Sequence, residues 1–254
     1  TRNAALKPAR FNFGPRRGKY YDVNKILESQ KTLSRDNVKK FEKLDAIYRT
    51  LCAVLFNYVP TSGHPGGSIS SGRFVSSILY NVLDFDIKNQ FADDADLVVY
   101  AAGHKALGLY AMWALRNEVV RSYAPKLLPD ESLQLRFEDL LGFRRNPTNT
   151  LPLFKKFNSK ALDGHPTPAT PHVKVATGAS RVGVPSAFGV ALGCLDYYGE
   201  NAPKIHIVEG EGGMTPGRVA EALAAASAMR LHNIVFHVDY NQASIDSNRV
   251  CRDG

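Results

Sequence analysis

The stretch "IHIVEGEGGMTPGRVAEAL", residues 205–223, decides how this chain is read. An apolar run breaks on Gly210-Glu211-Gly212, and a helical pattern follows at once, with Pro216 suited to its first turn. A strand, a glycine turn and a helix in that order form one unit of a parallel sheet. The next apolar run, "NIVFHVDY" at residues 233–240, reads as the following strand and ends on Asp239-Tyr240-Asn241. Ligands of such sheets sit beyond the carboxyl ends of the strands. Glu211 and Asn241 each follow one of two successive strands, so they are expected to converge there.

The rest of the chain agrees with that frame. "DLVVYAAGHKALGLYAMWALRNEV" (96–119) reads as a buried strand, a glycine turn and a helix. "VKVATGAS" (173–180) reads as a strand and turn, and "VPSAFGVALGCLDYY" (184–198) as a small-residue helix that packs closely on a sheet. In "SRDNVKKFEKLDAIYRTLCAVLFNYV" (34–59), Val38, Phe41, Leu44, Ile47, Tyr48, Leu51 and Leu55 keep helical spacing, and Ser34 or Asp36 is available as N-cap. "PTSGHPGGSISSG" (60–72) is expected to interrupt that helical region, which resumes at "RFVSSILYNVLDF" (73–85). A further helix is expected at "DESLQLRFEDLLGF" (130–143), within a loop-rich surface elaboration. The fold class is therefore α/β, a mostly parallel sheet with helices on both faces.

Composition narrows the classes. The 254 residues are 44% hydrophobic and 22% charged, enough for a full core. No apolar run reaches the roughly 18 residues that cross a bilayer, and no secretory leader pattern opens the chain. Three scattered cysteines suit a reducing, cytoplasmic setting. Residues 1–40 hold eleven Lys/Arg against three Asp/Glu, which equals the net charge of +8 of the whole chain. The sequence thus divides into a basic arm, 1–40, and a body, 41–254, of balanced charge. An arm without a matching basic body suits subunit packing better than nucleic acid.

One carboxylate and one amide oxygen at neighbouring strand ends are hard ligands, suited to Mg²⁺ or Ca²⁺. The flanking Gly210 and Gly212 let a diphosphate approach the backbone, and the helix N-terminus beyond favours its charge. An isolated Gly-Glu-Gly would equally serve as a plain strand-to-helix turn.

Residues 210–241 resemble the thiamine-diphosphate motif, a Gly-Asp-Gly turn followed some thirty residues on by an Asn, and most of all that of transketolase. Glu221-Ala222 matches the Glu-Ala pair of that family's following helix. "VDYNQASID" (238–246) is similar to the family segment whose Asn binds the metal and whose backbone carbonyl two residues later completes the set. That resemblance implies Glu211, Asn241 and Ala243 as metal ligands. "SGHPGGS" (62–68), "GHKALGLY" (103–110), and "GHPTP" (164–168) with "TGASRVG" (177–183) resemble the other family segments, in the family's order. They imply that His64 and His165 face the reacting end of the sugar and that His64 and His104 also lie near the cofactor. Gly178 and Ser180 would form a turn over it. The cofactors implied are thiamine diphosphate and Mg²⁺ (or Ca²⁺), in a thiamine-diphosphate-binding fold.

The resemblance covers only the diphosphate-holding half of such an enzyme. Its partners would be sugar phosphates and a pyrimidine-binding half, on another chain or missing segment, that supplies an activating glutamate. A homodimer or heterotetramer is expected, with no membrane and no nucleic acid. Three positions depart from the pattern. Glu211 stands for the usual Asp, Thr215 or Pro216 for a glutamate after the turn, and Arg181 for a small residue. The expected activity is transfer of a two-carbon ketol unit between sugar phosphates. The alternative is a non-catalytic, transketolase-like subunit with a structural or regulatory role.

Overall fold

A computed structural model describes residues 22–29, 33–59, 63–89, 92–144, 152–178 and 181–243. Most of the basic arm, Ser180 and the end of the "VDYNQASID" segment lie outside the described residues. Among those described, seven α-helices and three strands follow one another: α1 (Val23–Ser29), α2 (Arg35–Tyr58), α3 (Pro65–Ser77), β1 (Leu97–Tyr100), α4 (Ala106–Tyr123), α5 (Pro152–Phe157), α6 (Gly183–Tyr198), β2 (Ile205–Gly210), α7 (Gly217–Ala228) and β3 (Ile234–Asp239).

The strands form a parallel sheet of order β1-β2-β3, with Leu97 beside Ile205 and Ile205 beside Ile234. Alternation along each strand feeds two cores. Val98, Tyr100 and Val208 join α2, α3 and α4 on one face. Leu97, Val99, Ile205 and Ile207 join α6 and α7 on the other. Both faces are covered, as the α/β reading expects, and each fully buried Ile, Val or Leu there stabilises by about 1.5–3 kcal/mol. Every residue of α4 from Ala106 to Asn117 is buried, so this helix is apolar nearly all round rather than amphipathic.

Three local expectations fail, each for a visible reason. α3 begins at Pro65, inside the segment expected to break the helix. Pro65 occupies a first-turn position where its missing N–H costs nothing. The glycines behind it give space to neighbours: Gly67 faces the Lys105 stem and Gly72 the Tyr48 ring. "VKVATGAS" forms no strand. Val98 donates its N–H to the His172 carbonyl at 2.8 Å, but His172 at φ 66° turns the backbone out of extended geometry, and no ladder follows. "DESLQLRFEDLLGF" is two 3₁₀ turns, Glu131–Leu133 and Phe137–Gly142, instead of one helix. The Asp139 carboxylate accepts the Arg136 N–H at 2.9 Å and the Lys160 N–H at 2.8 Å, and these local bonds compete with a continuous helical ladder.

The first long helix meets its expectation at Ser34, which accepts the Asn37 N–H as N-cap. Its buried stripe is Asp45, Tyr48, Cys52 and Leu55, whereas Val38 and Ile47 are exposed. Tyr48 ties three helices together. Its hydroxyl donates to the Ser68 carbonyl on α3, and a side chain on Gly108 of α4 would collide with it. Ser68 Oγ in turn accepts the Gly108 N–H at 3.2 Å. The starts of α3 and α4 are thereby fixed side by side, which places His64 next to His104.

Candidate functional site

A cleft of about 540 Å³ opens at the carboxyl ends of the strands. Its walls are the entry to α3 (His64, Gly66, Gly67, Ser70), the turn after β1 (His104, Lys105), the turn after β2 and the residues after β3. Of the residues named from sequence, His64, His104, Gly210, Glu211, Gly212, Asn241 and Ala243 line it together.

Glu211 and Asn241 converge because β2 and β3 are parallel neighbours whose last pair is Gly210 with Asp239. The Glu211 carboxylate accepts the Asn241 N–H at 3.3 Å on one oxygen and the Ala243 N–H at 3.0 Å on the other. The same Ala243 N–H reaches the Asn241 side-chain oxygen at 3.0 Å, so carboxylate and amide oxygens crowd one point. Among the described residues no group of three or more His, Cys, Asp or Glu is arranged to hold a metal ion. What the turn offers is one carboxylate, one amide oxygen and nearby backbone carbonyls. That all-oxygen set fits in kind a hard divalent cation that takes its remaining ligands from phosphate and water.

Behind this pair lies a buried polar floor. Asp239 Oδ2 accepts Ser70 Oγ at 2.6 Å, Asn241 Nδ2 at 3.0 Å, and the Lys105 ammonium. Asn241 Nδ2 also donates to Ser70 Oγ at 3.0 Å, which sets the amide so that its oxygen faces away from Asp239. Glu209, under the turn, accepts the Gly210 N–H at 2.9 Å. Burial pushes its carboxyl above the usual range, opposed by that bond and by Lys105. Gly213 leaves its place open: a side chain there would overlap the Glu209 carboxylate.

His64 caps the start of α3, with its ring edge-on to His104 at 5.5 Å between centroids. Burial, Lys105 and the neighbouring histidines push His104 down to about 4, so it is a neutral imidazole near pH 7. Its Nδ1 is buried with no partner. His165 stands apart from the residues that line the cleft and packs against the turns beside it. A side chain on Gly103 would come within 2.6 Å of its ring, and one on Gly178 within 2.9 Å. Burial, with Arg144 nearby, lowers its pKa. Gly178 therefore makes room for His165, and Ser180 lies outside the described residues. Arg181 lines the cleft from the same turn, at φ 87°.

The reading of the sequence missed Lys105, Ser70, Glu209 and the hub role of Asp239. Lys105 had a signal, since it directly follows His104. Ser70 and Glu209 had none, because their positions are meaningful only once α3 is seen to start at Pro65 and Gly213 to leave its space empty.

Residues 131–251 match the family model of the transketolase thiamine diphosphate binding domain. His165, Gly178, Glu211, Asn241 and Ala243 fall inside the match, and His64 and His104 precede it. One of the two apulose-4-phosphate transketolase chains of Actinobacillus succinogenes is 27% identical over 225 residues, 87% of this chain and 70% of that protein. Human transketolase is 28% identical over 181 residues, 71% of this chain and 24% of that protein. The chain thus spans about a quarter of the length of the larger relative. Transketolase of Pichia stipitis, solved in complex with sedoheptulose-7-phosphate, superposes with a TM-score of 0.60 at 25% identity, over 81% of this chain and 28% of that one. Transketolase of Leishmania mexicana matches in fold with the same TM-score, over the same shares, at 24% identity. In sequence and in fold, the chain is similar to the thiamine-diphosphate-binding half of transketolase.

Proposed function

We propose that this chain is the diphosphate- and metal-holding half of a transketolase, and that it moves a two-carbon ketol unit between sugar phosphates once joined to a pyrimidine-binding half. The observation that carries the reading is the convergence of Glu211, Asn241 and Ala243 at two adjacent strand ends, within one cleft with His64 and His104. Glu211, Asn241 and the Ala243 carbonyl would hold Mg²⁺ or Ca²⁺, and Gly210 and Gly212 would let the diphosphate approach the backbone. When bound, thiamine diphosphate supplies the electron sink for cleaving the carbon–carbon bond beside a ketose carbonyl. Neutral His104 donates or accepts one hydrogen bond at the cofactor without adding charge. His64 at the cleft and His165 beside it would hydrogen-bond the reacting hydroxyls or carry their protons, work suited to imidazole near neutral pH. The glutamate that activates the pyrimidine ring belongs to the other half. The assembly that brings the halves together is a homodimer or heterotetramer, with the arm at residues 1–40 as a packing element.

A second reading rests on the Glu211 bonds themselves. Both oxygens of that carboxylate already take N–H groups of the loop after β3, which leaves the turn closed on itself. A transketolase-like chain with a purely structural or regulatory role would keep such a turn.

Thermal unfolding of the protein, isolated with any co-purifying chain identified by intact mass, separates the two. Thiamine diphosphate with Mg²⁺ is expected to raise the midpoint, and neither alone to match the pair. No rise at saturating cofactor, with a pyrimidine-binding half present, would remove the catalytic reading and leave the structural one.

A further inference from the structure

Lys105 is the one ammonium buried in this cleft among the described residues, with 1% of its surface exposed. Its stem crosses Gly67, whose missing side chain would lie 3.1 Å from Cγ, and its Nζ stops 3.5 Å from where a Cβ on Gly210 would sit. The charge is therefore set between the first turn of α3 and the glycine turn after β2. Lys105 donates to Asp239, and among the described residues no other hydrogen-bond acceptor of its ammonium is found. Asp239 Oδ2 is already shared with Ser70 and Asn241. An ammonium has three donors, and burying it with a single shared acceptor is costly unless another anion completes the set. The adjacent His104 Nδ1 is likewise buried without a partner. Two unmet polar groups from consecutive residues border the same glycine-lined space.

We infer that Lys105 is a fixed cation of an anion site: its ammonium, anchored by Asp239 at Gly210, binds a phosphoryl oxygen of a diphosphate and gives the cleft an affinity for diphosphate that needs no divalent metal. This deepens the proposed function and rests on the reading that the cleft takes a diphosphate. It also gives the Glu211 turn a different setting. A cation built into the chain shares the neutralisation of the diphosphate, so a metal site of one carboxylate and neutral oxygens carries less of it. If Lys105 served only to tie α4 to β3, its removal would change stability and leave anion affinity alone.

Calorimetric titration of the whole chain with inorganic pyrophosphate, in EDTA, tests this. The wild type is expected to bind. Lys105→Met is expected to weaken binding about tenfold or more, the scale of one charge-assisted hydrogen bond. Lys105→Arg keeps the charge and is expected to retain measurable binding. Because Lys105→Met strands a buried carboxylate, the double variant Lys105→Met/Asp239→Asn removes both members and carries the same expectation if the single variant does not fold. No binding by the wild type in EDTA, or equal affinity in the wild type and either folded variant, overturns the inference. The two readings fail separately. Thiamine diphosphate binding that is wholly Mg²⁺-dependent, with no pyrophosphate binding in EDTA, sinks the role of Lys105 and keeps the proposed function. Lys105-dependent pyrophosphate binding without any thiamine diphosphate binding does the reverse.

Discussion

Glu211 on the turn after β2 reaches across to the loop after β3, where its Oε1 accepts the Ala243 N–H at 3.0 Å. A carboxylate that offers itself as a metal ligand is thus also the clasp that shapes the loop of its fellow ligands. The extra methylene relative to Asp is what lets one side chain span both strand ends. Glu211→Ala is therefore expected to lower stability by about 1–3 kcal/mol, the scale of hydrogen bonds to a charged group. Urea unfolding reads it, with the slope unchanged. Glu211→Asp is expected to free the carboxylate from Ala243 and to lower the Mg²⁺ concentration needed for cofactor binding. An unchanged Mg²⁺ requirement would show that clasp and metal do not compete.

The carboxyl-end placement of Glu211 and Asn241 was legible because strand periodicity and a glycine turn are local signals, and parallel order does the rest. The cofactor-side histidines were legible only through resemblance, since a Gly-His pair carries no geometry of its own. What stayed hidden depended on contacts distant in sequence. Gly67 and Gly72 look like helix breakers until the Lys105 stem and the Tyr48 ring are seen filling their space. Asp139 diverts an apolar, helix-like segment by bonding Lys160, twenty-one residues on. His172 ends an apparent strand through a backbone angle that no hydrophobic pattern encodes.

Gly103→Ala tests whether His165 is held by its neighbours. The new methyl would lie 2.6 Å from the His165 ring and 2.8 Å from the Thr177 carbonyl, and a backbone carbonyl cannot step aside cheaply. His165 is expected to be displaced while the metal-side residues stay in place. In the assembled enzyme this lowers turnover about 10²-fold or less, as expected for misplacing one hydrogen-bonding or proton-carrying group. Cofactor-induced stabilisation, read by thermal unfolding, is expected to persist. Its loss would mean that Gly103 guards the cofactor pocket itself.

Acid sensitivity is expected from the interior rather than from the cleft. His172 is buried against Phe85 with both ring nitrogens unpartnered, and burial, with Arg116 and Lys174 nearby, lowers it from 6.5 to about 3. Between those two values the unfolded chain binds this proton and the folded chain does not. Stability from this group is thus fully present above pH 6.5 and falls as the pH drops towards 3. His237, lowered to about 4 by burial and by His206, adds a loss of the same sign. Denaturant unfolding between pH 7 and 4 is expected to show this slope. His172→Asn, whose side chain tolerates the positive φ, is expected to make it shallower. An equal slope in both proteins would assign the acid response to other groups.

Tyr48 offers the most direct test of how the site is carried by the core. The side chain is fully buried, its hydroxyl donates to the Ser68 carbonyl, and Gly72 and Gly108 are open to receive it. Tyr48→Phe removes one buried hydrogen bond and keeps the ring, so a loss of about 0.5–1.5 kcal/mol is expected. Tyr48→Ala leaves a cavity where α2, α3 and α4 meet, and a loss of about 3–5 kcal/mol is expected. The two variants should also differ at a distance. α3 starts beside His64 and α4 beside His104, so a cavity at their junction is expected to speed amide hydrogen exchange at Gly67 and Ser68, whereas Tyr48→Phe leaves it near the wild-type rate. Faster exchange confined to α2 in the alanine variant would mean that the cleft is held by the Lys105–Asp239 pair and the sheet, without support from the helical core.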